Sequence, residues 1–198
     1  MQAYHNDAGV KTKYVNRVAA HAAADAIIQG TGWENGKGCA VGCTLENYDH
    51  SRYPIELGIP EWLARVEDTI FEGLPSQVAK GWPKQFLEAI PVGANLERVK
   101  APFILLVLKS TLETQENNTH FDAEKNPEIL KVIQDSKEVL KQSIALWERN
   151  DIGTPEWESA ESAARSAAES AAWSAAYKIY AKELLRLLEE SSFKSKKK

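Results

Sequence analysis

Residues 30–60 read GTGWENGKGCAVGCTLENYDHSRYPIELGIP, the stretch least like a helix in a chain whose other segments carry helical patterning. Six of the eleven glycines and both cysteines fall within it, with Trp33, Lys37, Tyr48, Asp49, His50, Arg52 and Tyr53. An irregular connection of this length in a compact domain is either functional or disordered, and its aromatic and apolar content favours order. The predicted architecture is mainly α: a single helical domain around a Gly-rich irregular segment at residues 30–60, with a long C-terminal Ala-rich helix.

On the N-terminal side, Tyr14, Val18, Ala22 and Ile28 recur near helical spacing and predict a helix over 10–29, stopped by Gly30. Lys13, Arg17, His21 and Asp25 follow one another at i+4 and so stack into one stripe. The stripe reads either as a basic wall aimed at an anionic ligand in the neighbouring segment or as a solvated face whose charge ladder Asp25 closes.

On the C-terminal side, Pro60 opens a short core helix with Trp62, Leu63, Val66, Ile70 and Phe71 on its buried face, up to Gly73. A second short helix is expected from Ser76 towards Lys80 or, after Trp82 and Pro83, through Phe86, Leu87 and Ile90, ending before Pro91. Pro102 can open the next helix, and PFILLVLKSTLE is apolar on nearly every side, which predicts burial all round and leaves a central strand open. Residues 114–126 read as a polar loop, and Asn126-Pro127 starts a helix through Asn150. Thr154-Pro155 repeats that start, and no breaker follows before the tail, which predicts a helix of about 35 residues and ~50 Å. Its repeat SAAR, SAAE, SAAW, SAAY, from Ser162 to Tyr177, is suited to close helix packing and reads either as a spine shared between subunits of a homo-oligomer or as a stiff Ala-rich helix formed by propensity alone. The division expected is a body at 1–153, the Ala-rich helix at 154–190 and a short basic tail at 191–198.

A chain of 198 residues with 43% hydrophobic content can bury one good core. Its net charge of −4 and pI near 5.7 give the body no general attraction to nucleic acid or anionic membrane. No apolar run reaches membrane-spanning length and the N-terminus lacks a signal-peptide core, so a cytoplasmic address with free thiols is expected.

The run around Lys37 lacks the Gly-x4-Gly-Lys-Ser/Thr spacing of a phosphate loop, since Thr31 stands five before Gly36 and Gly38 follows Lys37. What remains is a glycine backbone that reads either as an anion nest, with Lys37 adding charge, or as a tightly turned structural loop. Cys39 and Cys43 make a single Cys-x3-Cys without two further ligands at a zinc spacing, so no metal or cofactor is expected. A thiol nucleophile would use one of them with His50 as base. Trp33, Tyr48 and Tyr53, interleaved with Lys37, His50 and Arg52, are the more informative set: flat rings stack on bases while cations take phosphate oxygens, and the alternative is that the aromatics anchor the loop to the core.

The run GTGWENGKGCAVGCTLENYDHSRYPIELGIPEWLARVEDTIFEGL, then FLEAIPVGANLERVKAPF, then the Ala/Ser repeat leading into YAKELLRLLEE, resembles a family of hypothetical proteins of bacteria and their phages. The resemblance covers nearly the whole chain and brings no activity and no catalytic residues. It implies a phage setting, in which small proteins without a catalytic motif are often counter-defence factors, some of them sponges that hold nucleotide immune signals without cleaving them.

The expectation is therefore a non-enzymatic homo-oligomer that sequesters a nucleotide-derived small molecule through Lys13, Arg17, His21, Trp33, Lys37, Tyr48, His50, Arg52 and Tyr53. Two alternatives stand beside it: a cysteine-dependent enzyme using Cys39 or Cys43 with His50, and a protein-interaction module acting through the C-terminal helix.

Overall fold

The structure, a computed structural model, describes residues 1–117, 127–149 and 173–191. It is mainly helical, as the patterning predicts, with a single two-stranded hairpin among the described residues. Two compact units divide the chain: residues 1–100 with 173–198, and residues 101–172.

In the first unit, α1 spans Ala8–Ala23, with the Asp7 side chain accepting from the Gly9 N–H at its start. It stops well short of Gln29. Asp25 turns to φ 52°, and Ala26–Ile28 run extended beside Gly38: the Gly38 N–H donates to Ala26 and the Ile28 N–H to the Gly38 carbonyl. Long-range backbone pairing outweighs the helix propensity of the Ala run.

The Gly-rich segment is more regular than expected. β1 (Trp33–Glu34) and β2 (Lys37–Gly38) form a hairpin, Trp33 opposite Gly38 and Glu34 opposite Lys37. Its two-residue turn is Asn35-Gly36, at φ 51° and 77°, the conformation that Asn-Gly adopts at low cost. Then come α2 (Ala40–Leu45), ended by Glu46 at φ 54°, and α3 (Arg52–Leu57), ended by Gly58.

α4 (Glu61–Gly73), α5 (Ser76–Ala79) and α6 (Trp82–Ala89) fall where the prolines and glycines place them. α1 packs on α2 and α6, and α2 packs on α4. The core between them holds Tyr4, Tyr14, Val18, Leu57, Leu63, Phe71, Trp82, Phe86 and Leu87. Tyr4 belongs to a left-handed N-terminal turn, with Tyr4, His5 and Asn6 at φ 55°, 53° and 61°. This unfavourable backbone is held by Tyr4 burial, the Tyr4 hydroxyl donating to Leu87, and Ala3 pairing with Gly93 and Ala94.

α7 spans Glu97–Asn117, beginning before Pro102 rather than at it, and is a helix rather than a strand. α8 spans Pro127–Arg149. In the second unit Leu108, Leu140 and Trp147 form a buried cluster edged by Ile104, Leu105, Leu112 and Ile144. Burial of the PFILLVL run is one-sided: Phe103, Val107 and Leu108 are buried and Ile104 to Leu106 only half so.

α9 spans Trp173–Glu190 and packs on α4 and α6 within the first unit through Tyr177, Tyr180, Leu184 and Leu188. The start of the expected long helix, most of the Ala/Ser repeat and the basic tail lie outside the described residues.

Candidate functional site

The fold distributes the nine predicted ligand residues over α1, the hairpin, the α2–α3 connection and α3. Two groups result, and they differ in chemistry.

The first lies between α1 and the Gly-rich segment. Arg17 Nη1 donates to the Thr44 carbonyl at 2.9 Å, and its Nη2 stands 3.7 Å from Glu46. His21 Nε2 is 3.4 Å from the same carboxylate, and its ring meets Trp33 edge-on at 5.3 Å between centroids. Lys13 Nζ sits 4.8 Å from the centre of the Tyr14 ring. The i+4 stripe therefore does face the Gly-rich segment, but the ladder closes on Glu46. Asp25, beyond the helix end, pairs with Lys80 at 2.5 Å instead.

Three expectations for this region need correction. Tyr53 has no face open to a base: it is fully buried and its hydroxyl donates to Glu67 Oε2 at 2.6 Å. Arg52 is joined to Glu56 at 2.5 Å, and Glu56 also accepts the Tyr14 hydroxyl. The glycines are not an anion nest. The Gly30, Gly38 and Gly42 N–H groups already donate to Glu72, the Ala26 carbonyl and Cys39 Sγ. Their role is close approach, since a Cβ on Gly38 or Gly42 would stand 2.2 or 1.8 Å from the Gly32 carbonyl oxygen. Lys37 is exposed on the hairpin.

The second group is centred on Asp68 of α4. Its Oδ2 accepts the Tyr48 hydroxyl at 3.0 Å and contacts His50 Nε2 at 3.1 Å, and the Tyr48 and His50 rings meet edge-on at 5.1 Å. Asp49 turns the chain here, its Oδ1 accepting from the Ser51 N–H and hydroxyl and so fixing the backbone on which His50 stands. Tyr48 packs on Gly32, where a Cβ would fall 2.6 Å from the ring. Cys39, the residue before α2, lies against Asp68, and Glu72, one turn on, holds the Gly30 N–H.

Burial drives the electrostatics of this cluster. It pushes the Cys39 thiol well up, with Asp68 adding to the rise, and lifts Tyr48 to about 12. Burial works the same way on Asp68, but His50, the Cys39 thiol and Tyr48 outweigh it and hold the carboxyl below its ordinary range. Glu72 is raised by burial against the Gly30 N–H. Cys43 is raised to about 11 by burial, and its thiol faces the Gly38 and Ala26 carbonyls. Both cysteines are free thiols, and His50 is engaged with Asp68 rather than with either, so the arrangement favours no thiolate nucleophile.

Glu67, Asp68 and Glu72 were not singled out in the sequence. A signal was present: Glu67 stands four after Leu63 and three before Ile70, on the apolar stripe of α4, and Asp68 stands likewise between Ala64 and Phe71. A separate cleft of about 240 Å³ is lined by Ile27, Ile28, Gln29, Phe71, Ser76, Ala79 and Lys80, and includes none of the predicted ligand residues.

The fold and these two groups define a mainly α protein with an acid-centred polar cluster roofed by a glycine-packed hairpin. Comparison of the chain with known protein families, curated proteins and solved structures finds no match. Among the described residues no helix is long and apolar enough to cross a membrane.

Proposed function

We propose that this chain binds an anionic, ring-bearing small molecule of the nucleotide-derived kind and sequesters it without turnover. The observation that carries the reading is the convergence of Arg17 and His21 on the half-exposed Glu46 carboxylate, with Trp33 edge-on against the His21 ring. Contacts of 3.7 and 3.4 Å are loose for an ion pair, and Glu46 occupies the place that a phosphate or carboxylate of a ligand would take. Trp33 supplies an aromatic face beside it, and Lys13 and Lys37 supply charge. Two raised thiols, neither paired with an imidazole, favour holding over cleaving. Sequestration of an immune signal is the setting that the resemblance to phage proteins supplies.

The test is incubation with a panel of cyclic nucleotides and ADP-ribose-type molecules, followed by denaturing release and mass analysis. Recovery of one unchanged molecule in stoichiometric amount, lost in Arg17→Ala and Trp33→Ala, is the expected result. A chemically altered molecule would replace this reading with the enzymatic one. Empty protein across the panel would shift the function to the C-terminal helix as a protein-docking element.

A further inference from the structure

We infer that Cys39, Asp68 and Glu72 form a site for a divalent transition-metal ion of the zinc type beneath the Gly-rich segment. One ligand atom from each lies within 4.8 Å of the other two, so small side-chain rotations bring all three onto one ion. A thiolate with two carboxylates suits a borderline-soft ion that takes sulfur and oxygen in one tetrahedral shell. Three protein ligands leave the fourth position for water.

A second observation points at a missing cation. Asp68 is only 7% exposed, and its Oδ1 is sealed from solvent and accepts no N–H or O–H, the Cys39 thiol lying against the carboxylate. Its Oδ2 meanwhile takes both Tyr48 and His50. A native fold seldom leaves a carboxylate oxygen bare in this way, and a metal ion satisfies it directly.

Each ligand is also oriented from outside. Tyr48 and His50 fix Asp68, the Gly30 N–H fixes Glu72 through Oε2, and the Gly42 N–H points at Cys39 Sγ. Outer contacts of this sort set ligand direction and affinity. On binding, the Cys39 S–H bond breaks, an S–metal bond forms, and the proton leaves to solvent; no oxidation is involved. The Cys-x3-Cys spacing plays no part, because Cys43 faces backbone carbonyls instead. The site shares no ligand residue with the Arg17–His21–Trp33 face, and its test reads different variants, so either can fail without the other.

The test uses the whole 198-residue chain, stripped with a chelator and titrated with Co²⁺, then with Zn²⁺ in competition. One equivalent of Co²⁺ with a thiolate-to-cobalt charge-transfer band, displaced by Zn²⁺, is expected. Glu72→Gln, at an exposed position, should weaken Zn²⁺ binding about tenfold or more while its metal-free unfolding stays that of the parent. Cys39→Ser should lose the band and Cys43→Ala should keep it. Absence of stoichiometric uptake, a cobalt spectrum without the thiolate band, or a Glu72→Gln protein that binds like the parent would each overturn the assignment.

Discussion

The Tyr53 hydroxyl donates to Glu67 Oε2 at 2.6 Å at a point where both residues are completely buried. Burial raises the Glu67 carboxyl well above its ordinary value, the Tyr53 bond works against that rise, and nearby Asp68 adds to it. The folded protein therefore holds a proton there that the unfolded chain releases near 4.5. The stability tied to this group is complete below that pH and declines as pH climbs toward the folded-state pKa. Glu67→Gln should flatten the fall, so the difference between parent and variant in urea midpoint should widen from pH 4.5 upward. Equal slopes for the two proteins would show that Glu67 is ionised in the fold.

Removing the other partner tests the same pair. Tyr53→Phe leaves Glu67 Oε2 without its donor, and Oε1 already has none. A loss of about 1–3 kcal/mol in chemical denaturation is expected.

Glycines of the hairpin turn and of α2 should separate by mechanism. A Cβ on Gly42 would meet the Gly32 carbonyl oxygen at 1.8 Å, whereas one on Gly36 meets nothing within 4 Å but sits at φ 77°. Gly36→Ala should destabilise by about 1–2 kcal/mol from backbone strain. Gly42→Ala should do more, about 3 kcal/mol or beyond, because a backbone must move. Thermal unfolding of the two variants side by side reads the contrast.

At the C-terminal end of α4, Tyr177 of α9 lies over Gly73, where a Cβ would fall 2.2 Å from the ring. Gly73→Ala should therefore loosen α9 from α4 and α6. Amide exchange over 173–190 should quicken more than exchange in α1, and Tyr177→Ala, a large-to-small change, should lose about 3–5 kcal/mol.

For the ligand face, Glu46 is the residue to neutralise. Glu46→Gln frees Arg17 and His21 from their internal carboxylate and should tighten an anionic ligand several-fold, with the larger effect at low salt. Unchanged affinity, measured calorimetrically on a ligand recovered from the panel, would place the ligand elsewhere.

Much of this was legible in the chain. The Tyr14–Val18 spacing, the prolines at 60, 75 and 83 and the apolar stripe of α4 fix where helices form, because propensity and amphipathic period act locally. Asn35-Gly36 announces its hairpin just as locally. The stripe of Lys13, Arg17 and His21 was likewise readable from i+4 spacing alone.

What that stripe faces was not. Whether an aromatic ring is a stacking surface or core, and whether a cation is available or spent, depends on which distant segment packs against it. Tyr53 lost its role to Glu67, fourteen positions on, and Arg52 was taken by Glu56. The glycines of 30–42 looked conformational, yet Gly38 and Gly42 are small because the Gly32 carbonyl passes between them. Asp68 shows the division most clearly. Its place on the apolar side of α4 follows from helical period. Tyr48, His50 and Cys39 reach it only because the chain folds the Gly-rich segment over that helix, and burial together with these contacts makes it the centre of the cluster.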